Sequence, residues 1–266
     1  MPPSLKSRAV SDSASRPATR ATGKPGEDVA GDGAPIPSPE IHLHPTAPLA
    51  ERVLLPGDPG RALALAQALL EKPLMFNHNR GLWGYTGRAR DGEPLTIQAT
   101  GMGGPSAAIV LAELIALGAR RAIRVGTCGA LDPSLGLGEL VLAREAICAD
   151  GTSRALGGGE RVAADAALSD ALARSEPAAT AGAVVSVDLF YEREGTPRAD
   201  GHAGAIAVEM EAAALFALGA AEATPVACLL AVTDVFDARG ARTRIAAEQL
   251  AAAAERLGTV ALAALA

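Results

Sequence analysis

Residues 52–70 read Arg-Val-Leu-Leu-Pro-Gly-Asp-Pro-Gly-Arg-Ala-Leu-Ala-Leu-Ala-Gln-Ala-Leu-Leu. Arg52–Leu55 has the length and aliphatic content of a short buried strand, a glycine turn follows, and Arg61–Leu70 reads as a helix. The same alternation continues outward. Trp83–Arg90 and Pro94–Thr100 are β-rich and separated by Asp91-Gly92, a hairpin signal. Pro105–Leu117 predicts a buried helix with Pro near its first turn and Gly118 closing it. Ala122–Val125, Glu139–Cys148, Ala183–Val187 and Ala205–Val208 read as strands, the last two each running into a helix. Pro225–Val232 is a continuous apolar strand with Asp234 just beyond its end, and a last helix runs from about Thr243 to Ala266. The expectation is a single α/β domain over residues 41–266, with a mixed, mainly parallel sheet covered by helices on both faces.

Composition narrows the functional classes. Of the 266 residues, 49% are apolar and 20% charged, enough to bury a core. Aromatics make up only 3%, so that core is aliphatic. A net charge of −6 gives no cationic footprint for nucleic acid or for an anionic membrane. No long apolar run escapes interruption; Leu250–Ala266 is broken by Glu255, Arg256 and Gly258. Cys128, Cys148 and Cys228 are too sparse for a disulfide or zinc framework and fit a reducing, cytoplasmic setting.

Residues 1–40 differ from the rest. They hold 7 of the 18 prolines and few large aliphatic residues, too little apolar surface to offset the entropy of ordering. Lys6, Arg8, Arg16, Arg20 and Lys24 against Asp12 would also suit an organelle transit peptide. A disordered extension is the simpler reading.

In open α/β sheets ligands gather beyond the carboxyl ends of strands. Pro56-Gly57-Asp58-Pro59-Gly60-Arg61, Arg124-Val125-Gly126-Thr127-Cys128-Gly129, Glu209-Met210-Glu211 and Thr233-Asp234 each follow or straddle such an end. Singly, each has a structural explanation; Glu209, for example, suits a helix start. Together they place cations, hydroxyls and carboxylates on one edge. Gly101-Met102-Gly103-Gly104 does not make the dinucleotide fingerprint, and no Walker-type loop occurs. Glycine turns beside guanidinium groups suit a small oxyanion such as phosphate. His42-Leu43-His44 has only His78 and His202 to complete a metal site, and Cys128 has no evident histidine partner as a nucleophile.

At these residues the chain resembles the nucleoside phosphorylases of the hexameric bacterial type, the purine and uridine enzymes of one superfamily. The matching segments are 54–61, Asn79-Arg80-Gly81, 100–106, 124–130, Asp188-Leu189-Phe190-Tyr191, 208–213 and Val232-Thr233-Asp234, in family order. The resemblance implies phosphorolysis of a nucleoside to free base and ribose 1-phosphate, with phosphate as co-substrate and no metal or other cofactor. It implies that Gly57, Arg61, Arg124 and Thr127 hold phosphate, joined by Arg80 from a neighbouring subunit of a homo-oligomer, a hexamer built as a trimer of dimers. His42 or His44 would reach a neighbour's ribose. Glu209, Met210, Glu211 and Met102 would line the ribose side, Phe190 would lie against the base, and Asp234 would serve as its acid. Arg124, Glu211 and Asp234 would be the catalytic set.

A purine rather than a pyrimidine substrate is expected. Neither Gln98 nor Gln249 begins the Gln-x-Arg pair with which the resembling uridine enzymes read uracil. The purine enzymes pair their acid with an arginine on the following helix; Arg239, Arg242 and Arg244 all stand near. The alternatives are a uridine or broad-specificity phosphorylase, a hydrolytic nucleosidase, and a non-catalytic nucleoside-binding protein.

Overall fold

The structure is a computed structural model that describes residues 41–191, 201–237 and 240–266. The 1–40 extension and Arg239 lie outside them. The first strand, β1 (Arg52–Leu55), leads into α1 (Pro59–Leu69). Asp58 starts that helix by accepting a hydrogen bond from the Arg61 N–H at 2.7 Å, and Pro59 supplies the first turn with a preset φ. The chain then turns back as β2 (Leu70–Asn77) and forms the hairpin of β3 (Gly84–Ala89) and β4 (Pro94–Gln98).

Next come α2 (Gly104–Leu117), β5 (Arg121–Ala130) and β6 (Leu140–Cys148). They are followed by α3 (Gly151–Ala155), β7 (Arg161–Ala163), α4 (Ala166–Ser175) and β8 (Thr180–Ser186). The body ends with β9 (Ala205–Glu209), α5 (Ala212–Ala221), β10 (Val226–Phe236), β11 (Arg242–Arg244) and α6 (Ala247–Ala264).

The strands form one mixed sheet. β4, β1, β5 and β10 run parallel to their neighbours in turn, as do β6, β8 and β9. Antiparallel pairs join these two sets and add the β2–β3 edge. The sheet is not fully open. β5 pairs with β10, β10 with β6, β6 with β8, β8 with β9, and β9 with β5, so five strands close into a ring. β1, β4, β3 and β2 extend from it as a wing.

Helices cover both faces. α2, α3 and α5 pack on one side, and α1, α4 and α6 on the other. The apolar run of β10 serves both by period-2 alternation: Val226, Cys228, Leu230 and Val232 join one core, and Ala227, Leu229 and Ala231 the other. α5 is buried from Ala212 to Gly219 on every side, which explains a helix with no polar face. Among the described residues no helix is long and apolar enough to cross a membrane.

Several element boundaries differ from the expectation, and the differences matter. Gly126–Ala130 and Thr233–Phe236 do not lie past strand ends; they are the second halves of β5 and β10. β2, α3, β7 and α4 had no clear periodic signal. No helix follows β8 within the described residues up to Tyr191, and the last helix begins after a short strand rather than at Thr243.

Because Leu230 is fully buried in the middle of β10, Leu230→Ala should cost about 2–5 kcal/mol of folding free energy. A lower urea midpoint at an unchanged slope would show this; an unshifted midpoint would mean the two-faced packing is misassigned.

Candidate active site

A cleft of about 2230 Å³ opens where the two glycine turns meet β5, β9 and β10. The turns brace each other: the Thr100 N–H bonds the Pro56 carbonyl at 2.9 Å and the Gly101 N–H bonds the Gly57 carbonyl at 3.0 Å. Of the residues singled out in the sequence, Gly57, Arg61, Met102, Arg124, Thr127, Phe190, Glu209, Met210, Glu211 and Asp234 all line this cleft. Arg80 and His42 do not.

Arg124 is the electrostatic centre. Its guanidinium is almost completely buried, with Nε 3.1 Å from Glu209 Oε2 and Nη2 2.5 Å from Glu211 Oε2. Burial works against its charge, but the Glu211 and Glu209 carboxylates hold its pKa above the ordinary guanidinium value. Nη1 is buried without a hydrogen-bond partner. The guanidinium lies over Gly126, two residues along the same strand face; a Cβ there would sit 2.7 Å from it. Glycine at position 126 therefore serves close approach, not a turn.

Arg61 reaches the same cleft from the first turn of α1. Burial and the nearby Arg124 cation both lower its pKa, and no carboxylate pairs with its guanidinium among the described residues. Two neighbouring cations that disfavour each other's charge make a wall suited to an anion.

Glu211 links this wall to α2. Its Oε1 accepts the Gly103 N–H at 2.6 Å, an N–H set by a φ of +84° that favours glycine. Glu209, expected on the nucleoside side, borders the cleft, and its side chain is engaged within the protein. Its side chain is fully buried and accepts from Arg124, the Ser186 hydroxyl and the N–H groups of Glu211 and Ala212. Every oxygen is committed inside the protein, where burial pushes the carboxyl pKa up against the pull of Arg124.

The opposite side of the cleft carries Asp234. A bulge in the β5–β10 pairing falls at Thr233, between the Val232 and Asp234 partners, and such bulges re-aim side chains. The Thr233 hydroxyl donates to Asp234 Oδ2 at 2.8 Å, and Arg242 Nε lies 2.7 Å from Oδ1. Arg244 stays 3.8 Å away. Of Arg242 and Arg244, it is Arg242 on β11, not on the following helix, that pairs closely with Asp234. Arg242 also lies 4.8 Å above the Phe190 ring, which is edge-on to Tyr191.

His42 and Arg80 share a different neighbourhood. His42 Nδ1 pairs with Glu113 Oε1 of α2 at 2.5 Å, and the His42 carbonyl accepts from Asn79 Nδ2 at 2.9 Å, beside the exposed Arg80. His44 is exposed, and its N–H bonds Asn77 Oδ1. Around them Ile41, Leu74, Met75 and Ile109 expose apolar side chains. Cys128 is buried and burial drives its thiol pKa up, so it packs rather than attacks. Sequence reasoning overlooked Ser186 and Glu113; the one polar residue in the apolar run 183–187 was the available signal for Ser186.

A closed sheet with a cationic wall facing a buried carboxylate has the chemistry of a site for an oxyanion beside a second, polar group. The chain belongs to the Phosphorylase superfamily, whose pattern matches residues 51–266. The DeoD-type purine nucleoside phosphorylase of Geobacillus kaustophilus is 37% identical over 201 residues, 71% of this chain and 83% of that protein. The protein of the same name from Alkaliphilus metalliredigens is 36% identical over 194 residues, 70% of this chain and 83% of its own length. Among solved structures, a uridine phosphorylase from Vibrio fischeri superposes with a TM-score of 0.71 at 25% identity, covering 82% of this chain and 91% of that one.

Gly126→Ala tests the close approach. The crowded atoms are mainly the tip of Arg124, so the fold should survive while the guanidinium moves. Calorimetric binding of inorganic phosphate should weaken about tenfold or more, with melting temperature little changed. Unaltered phosphate binding would remove Arg124 from the anion wall.

Proposed function

We propose that this protein is a purine nucleoside phosphorylase, cleaving a purine nucleoside with phosphate to give the free base and ribose 1-phosphate. The observation that carries the reading is the cationic wall: among the described residues, Arg61 has no ion-pair partner and stands beside Arg124, whose Nη1 is unpaired. A nucleosidase, which uses water, has no need of it. The names of the relatives support the purine substrate.

On this reading phosphate sits against Arg61, Arg124, Thr127 and the Gly57 turn, below C1′ of the nucleoside. One of its oxygens forms the bond to C1′ as the bond from C1′ to the base nitrogen breaks. The ribose gains cationic character on the way, and Glu211, with Met210 and Met102 beside it, meets the ribose hydroxyls and steadies that charge. Its carboxylate oxygens each keep a second lone pair for this despite bonding Arg124 and Gly103. The base rests on Phe190 and leaves more readily when Asp234 delivers a proton to N7, general-acid work worth about 10²–10⁴-fold. Arg242 then stabilises the resulting carboxylate. Phosphate is the co-substrate, and no step draws on a metal or other cofactor.

The reading extends to assembly and place. His42 and Arg80 lie outside their own chain's cleft, amid exposed Ile41, Leu74, Met75 and Ile109, which supports their service to a neighbour's site. A homo-oligomer, a hexamer as a trimer of dimers, follows as part of the proposal. Three free cysteines accord with a cytoplasmic enzyme in purine salvage.

The chemistry is tested with inosine, uridine and 7-methylguanosine. Inosine cleavage should require phosphate and far outpace that of uridine. Asp234→Asn should lower kcat on inosine by about 10²-fold or more, yet affect 7-methylguanosine much less, because that base leaves without protonation. Equal defects on both purines would reduce Asp234 to a supporting role, and efficient uridine cleavage would favour the uridine phosphorylase alternative.

Assembly has its own test. Chains carrying Arg80→Ala and chains carrying Asp234→Ala, each inactive alone, should recover partial activity when refolded together, since hybrid dimers contain one intact site. No recovery at any mixing ratio would mean that each site is built within one chain.

A further inference from the structure

Arg124 must present its guanidinium to phosphate in one orientation, and the two carboxylates that orient it are not equivalent. Glu211 is bonded to Arg124 and Gly103 and, on the proposed reading, also receives the ribose hydroxyls; its attention is divided each time the nucleoside arrives. Glu209 is not divided. It lies behind Arg124 with its side chain wholly buried, and its Oε2 takes Arg124 Nε at 3.1 Å and the Glu211 and Ala212 N–H groups at 2.9 Å. Its Oε1 takes the Ala212 N–H at 2.9 Å and the Ser186 hydroxyl. Ser186 Oγ in turn accepts the Ala213 N–H at 2.9 Å. The N-terminal turn of α5, the end of β8 and the end of β9 are thereby joined to the back of one cation.

We propose that Ser186 and Glu209 form a positioning pair that fixes the Arg124 guanidinium against the N-terminus of α5, so that its phosphate-facing side stays aimed while Glu211 engages the ribose. This rests on the phosphorylase reading of the cleft. Neither residue touches substrate. The pair acts through position: what matters is where the Glu209 oxygens lie, and the negative charge is secondary. Backing charge alone would, if anything, weaken an anion's attraction to Arg124.

Three variants separate position from charge. Glu209→Asp keeps the charge but withdraws both oxygens from Arg124 and Ser186. Glu209→Gln removes the charge but keeps the reach: its amide oxygen can hold Arg124 Nε and the Glu211 and Ala212 N–H groups, while its NH₂ donates to Ser186 Oγ, losing only the second bond from the Ala212 N–H. Ser186→Ala removes the hydroxyl and disturbs the fold least.

Initial rates with inosine and phosphate varied independently give the readout, with melting temperatures taken alongside. Glu209→Asp and Ser186→Ala should each raise the phosphate KM by about tenfold, as a misplacement of roughly 1 Å can cost more than that. The inosine KM should stay within about twofold, and Glu209→Gln should fall closer to wild type than Glu209→Asp on phosphate KM. A merely structural role predicts lower melting temperatures with an unchanged phosphate KM, and that result would overturn the proposal. So would a Gln variant worse than the Asp variant, which would make charge the operative property. Calorimetry with inorganic phosphate keeps the two levels apart. If wild type fails to bind phosphate, the phosphorylase reading itself fails; if wild type and Glu209→Asp bind it equally, only the positioning pair is lost.

Discussion

A guanidinium removed from water loses several kcal/mol of solvation, and a carboxylate placed beside it loses as much, so a buried ion pair holds only where geometry supplies further hydrogen bonds. Arg124 meets that condition on both sides. Glu209 and Glu211 flank it, and these carboxylates also accept from the N–H groups of Gly103, Glu211 and Ala212 and from Ser186. The consequence is architectural as much as chemical. β5 contributes the cation, β9 and its exit the carboxylates, β8 the hydroxyl, and α2 and α5 offer the unpaired N–H groups of their first turns. Removing one partner would leave a buried charge uncompensated, typically a loss of about 3–5 kcal/mol, so these elements are held to a common arrangement by the charge they share.

The closed ring of strands explains how so many polar groups reach one place without exposing the core. In an open sheet, polar residues halfway along a buried strand would meet a helix on either face. Here β5 pairs with three strands: β1 along its first half, β10 along most of its length, and β9 at Gly129 and Ala130. Arg124 and Thr127 thus face the cleft from within a strand whose remaining members, Ile123, Val125 and Cys128, stay in the cores. The bulge at Thr233 does the same for β10, which is apolar for seven residues and then turns a hydroxyl and a carboxylate inward.

This explains which parts of the fold were legible in the sequence. The helix α1, the hairpin β3–β4, α2, and the apolar half of β10 carry local signals that tertiary packing reinforces: an Asp-Pro start, an Asp-Gly turn, a closing glycine, an unbroken aliphatic run. β5 was read as ending at Val125 because Gly126 and Gly129 carry the composition of a turn. Their actual reason is spatial: the guanidinium over Gly126, and Val208 with Phe236 against Gly129. No local pattern encodes such contacts. The edge strand β2 alternates poorly because Glu71, Lys72, Leu74 and Met75 are all exposed in the single chain. The residues gathered at the cleft were legible for a different reason, since charged groups in otherwise aliphatic surroundings stand out wherever they fall. Their individual tasks were not: Glu209 and Glu211 differ by two positions in sequence, yet one is sealed behind the cation and the other faces the cleft.

The far side of the cleft adds a coupling that neither the strands nor the cationic wall would require. Arg242 comes from β11, a strand of three residues that among the described residues pairs with the end of β10, and its side chain makes two contacts. One contact is the Asp234 carboxylate and the other is the face of Phe190. Phe190 is half exposed and is steadied chiefly by Tyr191 and by this cation. On the proposed reading the aromatic wall that receives the base and the acid that protonates it are bridged by one cation. An enzyme whose acid partner sat on the body of a helix would have no such link. Arg242 is therefore the one side chain that touches both Phe190 and Asp234 among the contacts described above.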